Sequence, residues 1–190
     1  MSILLYQTPA DWVDAVLGDF DTFLRDHASA EKKASGMAMN MLSHYPDRPR
    51  LVEVMTDLAI EELNHFREVV RLLHERGIHQ AGDSKDEYVI RLRKTMRKGT
   101  EGFFLDQLLV AGIIEARGAE RFALIAKALP AGKLQSFYQA IARSESRHYT
   151  TFFELAAHYF DTDEVDERCA ILLQNEARIC AELPLRSALH

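Results

Sequence analysis

An all-α fold, four long helices with one long crossover connection and additional short helices, is what this sequence predicts, and three observations predict it. Proline and glycine punctuate the chain at the ends of helical segments rather than inside them. No segment sustains the two-residue alternation of a strand. The long segments are joined by a short link, then by a connection of about 25 residues, then by another short link.

Each element has its own signal. The stretch TPADW starts a short first helix, with Thr8 as N-cap, Pro9 at the first helical position and Asp11 in the first turn. The first long helix runs over 19–45 and stops at Pro46. The second starts near Pro49 and ends in HERG, where Gly77 is the C-cap. The third spans 102–129 and stops at Pro130, and the fourth spans 133–159. The stretch DTDEVDER supplies a cap and an acidic first turn for a final helix that ends before Pro184. The crossover has room for a short helix over 85–98. Short links make antiparallel neighbours, and four helices with one long crossover form the ferritin-like bundle.

Composition narrows the class. A chain of 190 residues with 47% hydrophobic content is expected to form one domain, 1–190, with a substantial core. No targeting segment is evident at the N-terminus, and the longest clean apolar run, Leu108 to Ile114, is far short of the ~20 residues that cross a bilayer. No membrane association is therefore expected. Cys169 and Cys180 fall on one helix, roughly 16 Å apart at 1.5 Å per residue, too far to bridge. Unpaired cysteines suit a reducing cytoplasm. A net charge of -6 argues against a general nucleic-acid coat but allows a local basic patch.

The core stripes carry the anomaly. On the second long helix, steps of four and three pick out Leu51, Met55, Leu58, Glu62, His65, Val69 and Leu72. On the fourth they pick out Leu134, Tyr138, Ile141, Glu145, His148, Phe152 and Leu155, matching position for position. The first helix reads Leu24, Ala28, Glu31, Ser35, Ala38, Leu42; the third reads Leu108, Ala111, Glu115, Gly118, Phe122, Ile125. Each half of the chain thus carries one Glu followed about thirty residues later by Glu-x-x-His. Small neighbours around the single glutamates, Ala34, Ser35, Gly112 and Ala119 among them, leave room for a carboxylate to shift and a small ligand to enter.

Four inward carboxylates repel one another, and desolvation adds several kcal/mol per ion. Two divalent cations cancel that charge when both imidazoles are neutral. One Glu from each of two helices plus Glu-x-x-His from each of the other two is the ligand set of ferritin-like di-iron and di-manganese proteins. Mixed oxygen and imidazole donors with open positions suit two iron ions, with manganese as the alternative, better than structural zinc. The metal ligands, and through them the catalytic residues, are expected at Glu31, Glu62, His65, Glu115, Glu145 and His148, with no cofactor beyond the metal.

Other polar residues have plainer readings. His27 lies four before Glu31, but Ala111 occupies the equivalent place before Glu115, so His27 reads as structural. His44, His74, His79 and His158 read as surface or edge residues, and Glu61 as solvated or supporting. Arg147 either orients a ligand carboxylate or makes a surface ion pair.

The stretches DQLLVAGIIEARGAERFALIA, EELNHF, SESRHY and LPLRSALH resemble the tRNA hydroxylase (MiaE-like) family, over most of the chain. The ESRH element is also similar to the Glu-x-Arg-His of di-iron oxygenases, with Ser144 where many have Asp. The resemblance implies a monooxygenase that hydroxylates the isopentenyl group of 2-methylthio-N6-isopentenyladenosine next to the tRNA anticodon. It would use O2 as co-substrate and electrons from an external ferredoxin or reductase. The family's iron ligands fall on the same six residues already named.

A tRNA anticodon stem-loop as partner directs attention to IRLRKTMRKGT, where Arg91, Arg93, Lys94, Arg97 and Lys98 occur with no acid. The segment reads equally as a phosphate-contacting patch or as a solvated helix face. Tyr88 reads as a core residue rather than a base-stacking one. Two other functions fit a similar ligand set: a ferroxidase or iron-storage protein, expected to build a cage, and a dimanganese catalase, expected to disproportionate peroxide.

Overall fold

The computed structural model describes residues 3–190, and among them the fold is all-helical, with seven α-helices and no strand. They are α1 (Ala10–Gly18), α2 (Phe20–His44), α3 (Pro49–Glu75), α4 (Glu87–Arg93), α5 (Thr100–Ala128), α6 (Lys133–Tyr159) and α7 (Thr162–Glu182). Two compact units divide the chain. One holds Asp14–Ser84 with Arg186–Leu189 and is built on the α2/α3 hairpin; the other holds the chain up to Val13, Lys85–Leu185 and His190 and is built on α5, α6 and α7. The N-terminal reading touches residues 1 and 2, which lie outside the described residues.

In the α2/α3 unit, Asp19 caps α2 by accepting from Thr22 N. Pro49 occupies the first turn of α3, where its missing N–H breaks no helical bond. Gly77 follows α3 with φ +71, the left-handed turn that glycine adopts without Cβ strain. The buried line on α3 runs through Leu51, Met55, Leu58, Glu62 and Val69 and finishes on Leu73 rather than the expected Leu72. The reason is geometric: a strict 3.5-residue repeat drifts against a 3.6-residue helix, so the stripe moves on by one residue after three heptads. Ser35 Oγ donates to Ala59 O at 2.8 Å and ties the two helices together. The segment after α7 also contributes, with Leu189 N donating to Asp26 Oδ2 and Ser187 Oγ to Asp19 O.

In the other unit α5 is the central element, buried on nearly all sides from Phe104 to Ala126. It lies close against α6 because Gly112 has no side chain. A Cβ there would stand 3.0 Å from Phe153 Cε2 and 3.2 Å from Phe152 Cβ. The Phe153 ring can swing aside, whereas Phe152 Cβ is fixed to the α6 backbone. Gly112→Val is therefore expected to destabilise the protein by about 1–3 kcal/mol through overpacking. Gly112→Ala is expected to lose less, because alanine recovers helix propensity of about 1 kcal/mol. Urea unfolding of both variants checks this; equal stability of Gly112→Val and wild type would contradict it.

Two expected elements differ. Thr8 does not cap α1, which begins at Ala10; instead its N–H and hydroxyl both donate to Glu120, at 2.9 and 2.6 Å. The Thr8 hydroxyl oxygen in turn accepts from Arg117 Nη1 at 3.2 Å, so it is directed to α5 and not to the first N–H groups of α1. The crossover helix is shorter than the expected 85–98 and spans Glu87–Arg93. Asp86 caps it through Val89 N, and past Lys94 the chain turns away because Asp106 Oδ2 accepts from Arg97 N at 2.6 Å. Cys169 and Cys180 form no disulfide, as expected from their spacing.

Candidate metal centre

Each unit carries one triad of inward donors. In the α2/α3 unit, Glu31 projects from α2 and Glu62 and His65 from α3, with ligand atoms within 4.8 Å of one another. Glu31 and Glu62 are buried and His65 partly so. In the second unit, Glu115 projects from α5 and Glu145 and His148 from α6, again within 4.8 Å of one another and all buried. Both Glu-x-x-His pairs adopt one geometry. His65 Nδ1 lies 3.3 Å from Glu62 Oε2, and His148 Nδ1 lies 3.4 Å from Glu145 Oε2. Residues three apart share a helix face, which is why this spacing presents imidazole and carboxylate together.

The donor chemistry suits a hard or borderline divalent metal. Each triad offers two carboxylates and one imidazole, and no cysteine. Burial works against charge on His65, but hydrogen bonds to Glu31 and Glu62 outweigh it and push the imidazole up to about 9. Burial likewise opposes ionisation of Glu31, yet hydrogen bonding and the charge of His27, with a further bond from His65, hold its carboxyl well below the ordinary range. Ligation through His65 therefore requires that a proton leave its imidazole.

The triads are not identical. His27 is fully buried and its Nε2 donates to Glu31 Oε1 at 2.5 Å, whereas Ala111 stands in the matching position before Glu115. The structural reading of His27 holds in that it contacts protein, and what it contacts is a candidate ligand. Glu61 lies 3.9 Å from His65 Nε2. On α6, Arg147 Nη2 donates to Ser144 Oγ at 3.0 Å, and Ser144 Oγ lies 3.5 Å from His148 Nε2. Arg147 therefore reaches the triad through a serine hydroxyl. Gly118 lies beside Glu145: a Cβ there would stand 3.9 Å from Glu145 Cγ, an ordinary van der Waals contact.

The five basic residues of the crossover divide into two groups. Arg91 is ion-paired with Glu182, and Arg97 with Asp106 at 3.0 Å and Glu164 at 3.5 Å. Arg93, Lys94 and Lys98 are exposed. Tyr88 is buried, as expected, with its hydroxyl donating to Glu176 Oε1 at 3.2 Å.

What the sequence did not reveal is a buried charged cluster on α5. Arg117, fully buried, donates Nε to Glu176 Oε1 at 2.8 Å, Nη1 to Glu120 Oε2 and Nη2 to Tyr6 O at 2.9 Å. Arg121 stacks on the Trp12 ring at 4.9 Å, and Cys180 Sγ donates to Glu176 at 3.1 Å. Burial, reinforced by the Glu176 charge, pushes that thiol up to about 12, so it is not a nucleophile. Arg168 Nη2 reaches Asp106 Oδ2 at 2.7 Å. One signal was available: a helix apolar on nearly every face buries whatever charges it carries.

A solved chain described as "Protein 43 with aldehyde deformylating oxygenase activity from Synechococcus" superposes with a TM-score of 0.94 and 33% identity, over 100% of this chain and 96% of that one. The predicted ferritin-like four-helix fold is thereby the fold of the chain. A tRNA 2-(methylsulfanyl)-N(6)-isopentenyladenosine(37) hydroxylase of Pseudomonas putida is 36% identical over 167 residues, 88% of this chain and 80% of the relative. The enzyme of that name from Salmonella typhimurium is 34% identical over 131 residues, 69% of this chain and 48% of the relative. The model of the family described as tRNA-(MS[2]IO[6]A)-hydroxylase (MiaE) matches residues 1–190, and to that family of enzymes the chain belongs.

Proposed function

We propose that this protein hydroxylates the isopentenyl group of 2-(methylsulfanyl)-N6-isopentenyladenosine next to the anticodon of tRNA, as a metal-dependent monooxygenase in a single domain, 1–190. The observation that carries the reading is the pair of matched Glu plus Glu-x-x-His triads in a chain of this family. Glu31, Glu62, His65, Glu115, Glu145 and His148 would be the ligands of two iron ions, with manganese as the alternative. The bound metals would supply the activation of O2 that side chains cannot perform, with two electrons per turnover from an external ferredoxin or reductase.

The chain's own residues supply charge balance, positioning and exclusion of water. The four carboxylates would neutralise two divalent cations with both imidazoles uncharged. His27 fixes the Glu31 carboxylate, and Ser144 with Arg147 steadies the His148 ring; such supporting contacts typically matter 10–100-fold in metal affinity or activity. The exposed Arg93, Lys94 and Lys98 are the crossover cations open to tRNA phosphates. No helix among the described residues is long and apolar enough to cross a membrane, and the cytoplasm is the compartment this reading requires.

Iron storage and dimanganese catalase are not favoured, because the family and the named relatives are tRNA hydroxylases. The test is direct. Iron-loaded, chemically reduced protein is mixed with O2 and tRNA carrying the unhydroxylated isopentenyl nucleoside, and the digested nucleosides are analysed by mass spectrometry. A product heavier by one oxygen on the isopentenyl group is expected; oxygen consumption without that product would sink the assignment.

A further inference from the structure

A groove of about 570 Å³ lies between α5 and α6, within one unit of the fold, away from the crossover cations singled out by sequence. Its floor is alanine, its rim carries Lys127, Arg143, Gln139 and Ser146, and its lining contains no acidic residue. All four rim residues are exposed, and among the described residues neither Lys127 nor Arg143 enters an ion pair. In a chain of net charge -6, a concave surface with two uncommitted cations and no carboxylate is a local reversal of sign.

The groove also has a direction. Gln135 Nε2 donates to Ala126 O and Leu129 O, which sets Lys127 level with the start of α6. Arg143 lies eight residues beyond Gln135, about 12 Å along the helix at 1.5 Å per residue. That separation suits two non-adjacent phosphates of one strand better than one compact anion. The inner end reaches Ala119, one turn after Glu115, and Ala142, one turn before Glu145. The volume falls in the range of small-ligand clefts, about 300–1,000 Å³. Amide and hydroxyl groups on the rim can both donate to phosphate oxygens and accept from a ribose 2′-hydroxyl.

We propose that the α5/α6 groove holds the phosphodiester backbone of the tRNA strand that flanks the modified adenosine, with Lys127 and Arg143 on phosphates and Gln139 and Ser146 on the sugar-phosphate edge. The proposal rests on the hydroxylase reading and extends it by assigning the substrate strand a track that ends beside Glu115 and Glu145.

The test is equilibrium binding of a fluorescein-labelled anticodon stem-loop RNA bearing the isopentenyl adenosine, followed by anisotropy across a salt series with the full chain. Each phosphate neutralised on a single strand contributes about 0.7 to the slope of log K against log salt. The double variant K127Q/R143Q is expected to lower that slope by about 1.4 and to weaken binding at low salt, while R50Q/R71Q, which removes two exposed cations from α3, keeps the wild-type slope. K127E/R143E is expected to weaken binding further. An unchanged slope in both groove variants overturns the proposal. So does a loss confined to turnover with a protein electron donor, since the groove would then serve an acidic protein. Because binding is read without turnover, RNA binding that depends on the groove but yields no hydroxylated product would defeat the hydroxylase reading alone.

Discussion

Glu145→Ala is expected to remove metal and activity together while leaving the metal-free protein as stable as wild type or more so. Glu145 is 3% exposed and shares its space with Glu115 and His148. A carboxylate in such a place loses hydration and faces like charge, so its deletion relieves a penalty of a few kcal/mol in the absence of a cation. For a residue that serves only packing, truncation lowers stability and leaves metal content alone. Contacts that merely support ligands change affinity or activity 10–100-fold, and loss of a ligand is expected to exceed ~100-fold. Elemental analysis after iron loading, single-turnover hydroxylation and thermal unfolding of the metal-free protein provide the three readouts. Full metal content and turnover in Glu145→Ala would remove Glu145 from the ligand set.

Arg117→Met is expected to produce the largest loss of stability. Its guanidinium and the Glu176 carboxylate are both fully buried, and the arginine also serves Glu120 and the Tyr6 carbonyl. Removing the cation leaves Glu176 buried with its countercharge gone, a change worth about 3–5 kcal/mol. For a chain of this length the melting temperature should fall by roughly 6–20 °C, at 2–4 °C per kcal/mol. Replacing both partners, Arg117→Met with Glu176→Leu, is expected to recover most of that loss, because no charge then remains stranded. Additive losses in the double variant would show that the two residues act separately.

These two residues also mark what could and could not be read from the sequence. Glu145 was legible because it interrupts an otherwise apolar 4-3 stripe on α6, and the same interruption recurs at Glu62 on α3. Repetition turned a weak local pattern into a specific one. Arg117 was illegible for the opposite reason. On α5 almost every position is buried, so no polar face exists against which its burial would stand out, and its partner Glu176 lies on another helix 59 residues away. Helix ends followed the same division. The start of α6 at Lys133 and the end of α3 before Gly77 are written locally, in glycine and proline. The early end of α4 is set by Asp106 capturing Arg97 N, a tertiary contact with no local trace.

The Arg117 cluster has a further consequence, in time rather than in energy. Its acceptors extend from Tyr6 to Glu176, so the guanidinium is satisfied only when nearly the whole chain exists. At synthesis rates of about 5–20 residues per second, the 59 residues that separate Arg117 from Glu176 take roughly 3–12 s to appear. Throughout that interval α5, the most apolar long helix of the protein, has been made with Glu120 as the one carboxylate beside Arg117 and without the fully buried Glu176. A nascent chain halted before α7 is therefore the form of this protein most in need of a chaperone.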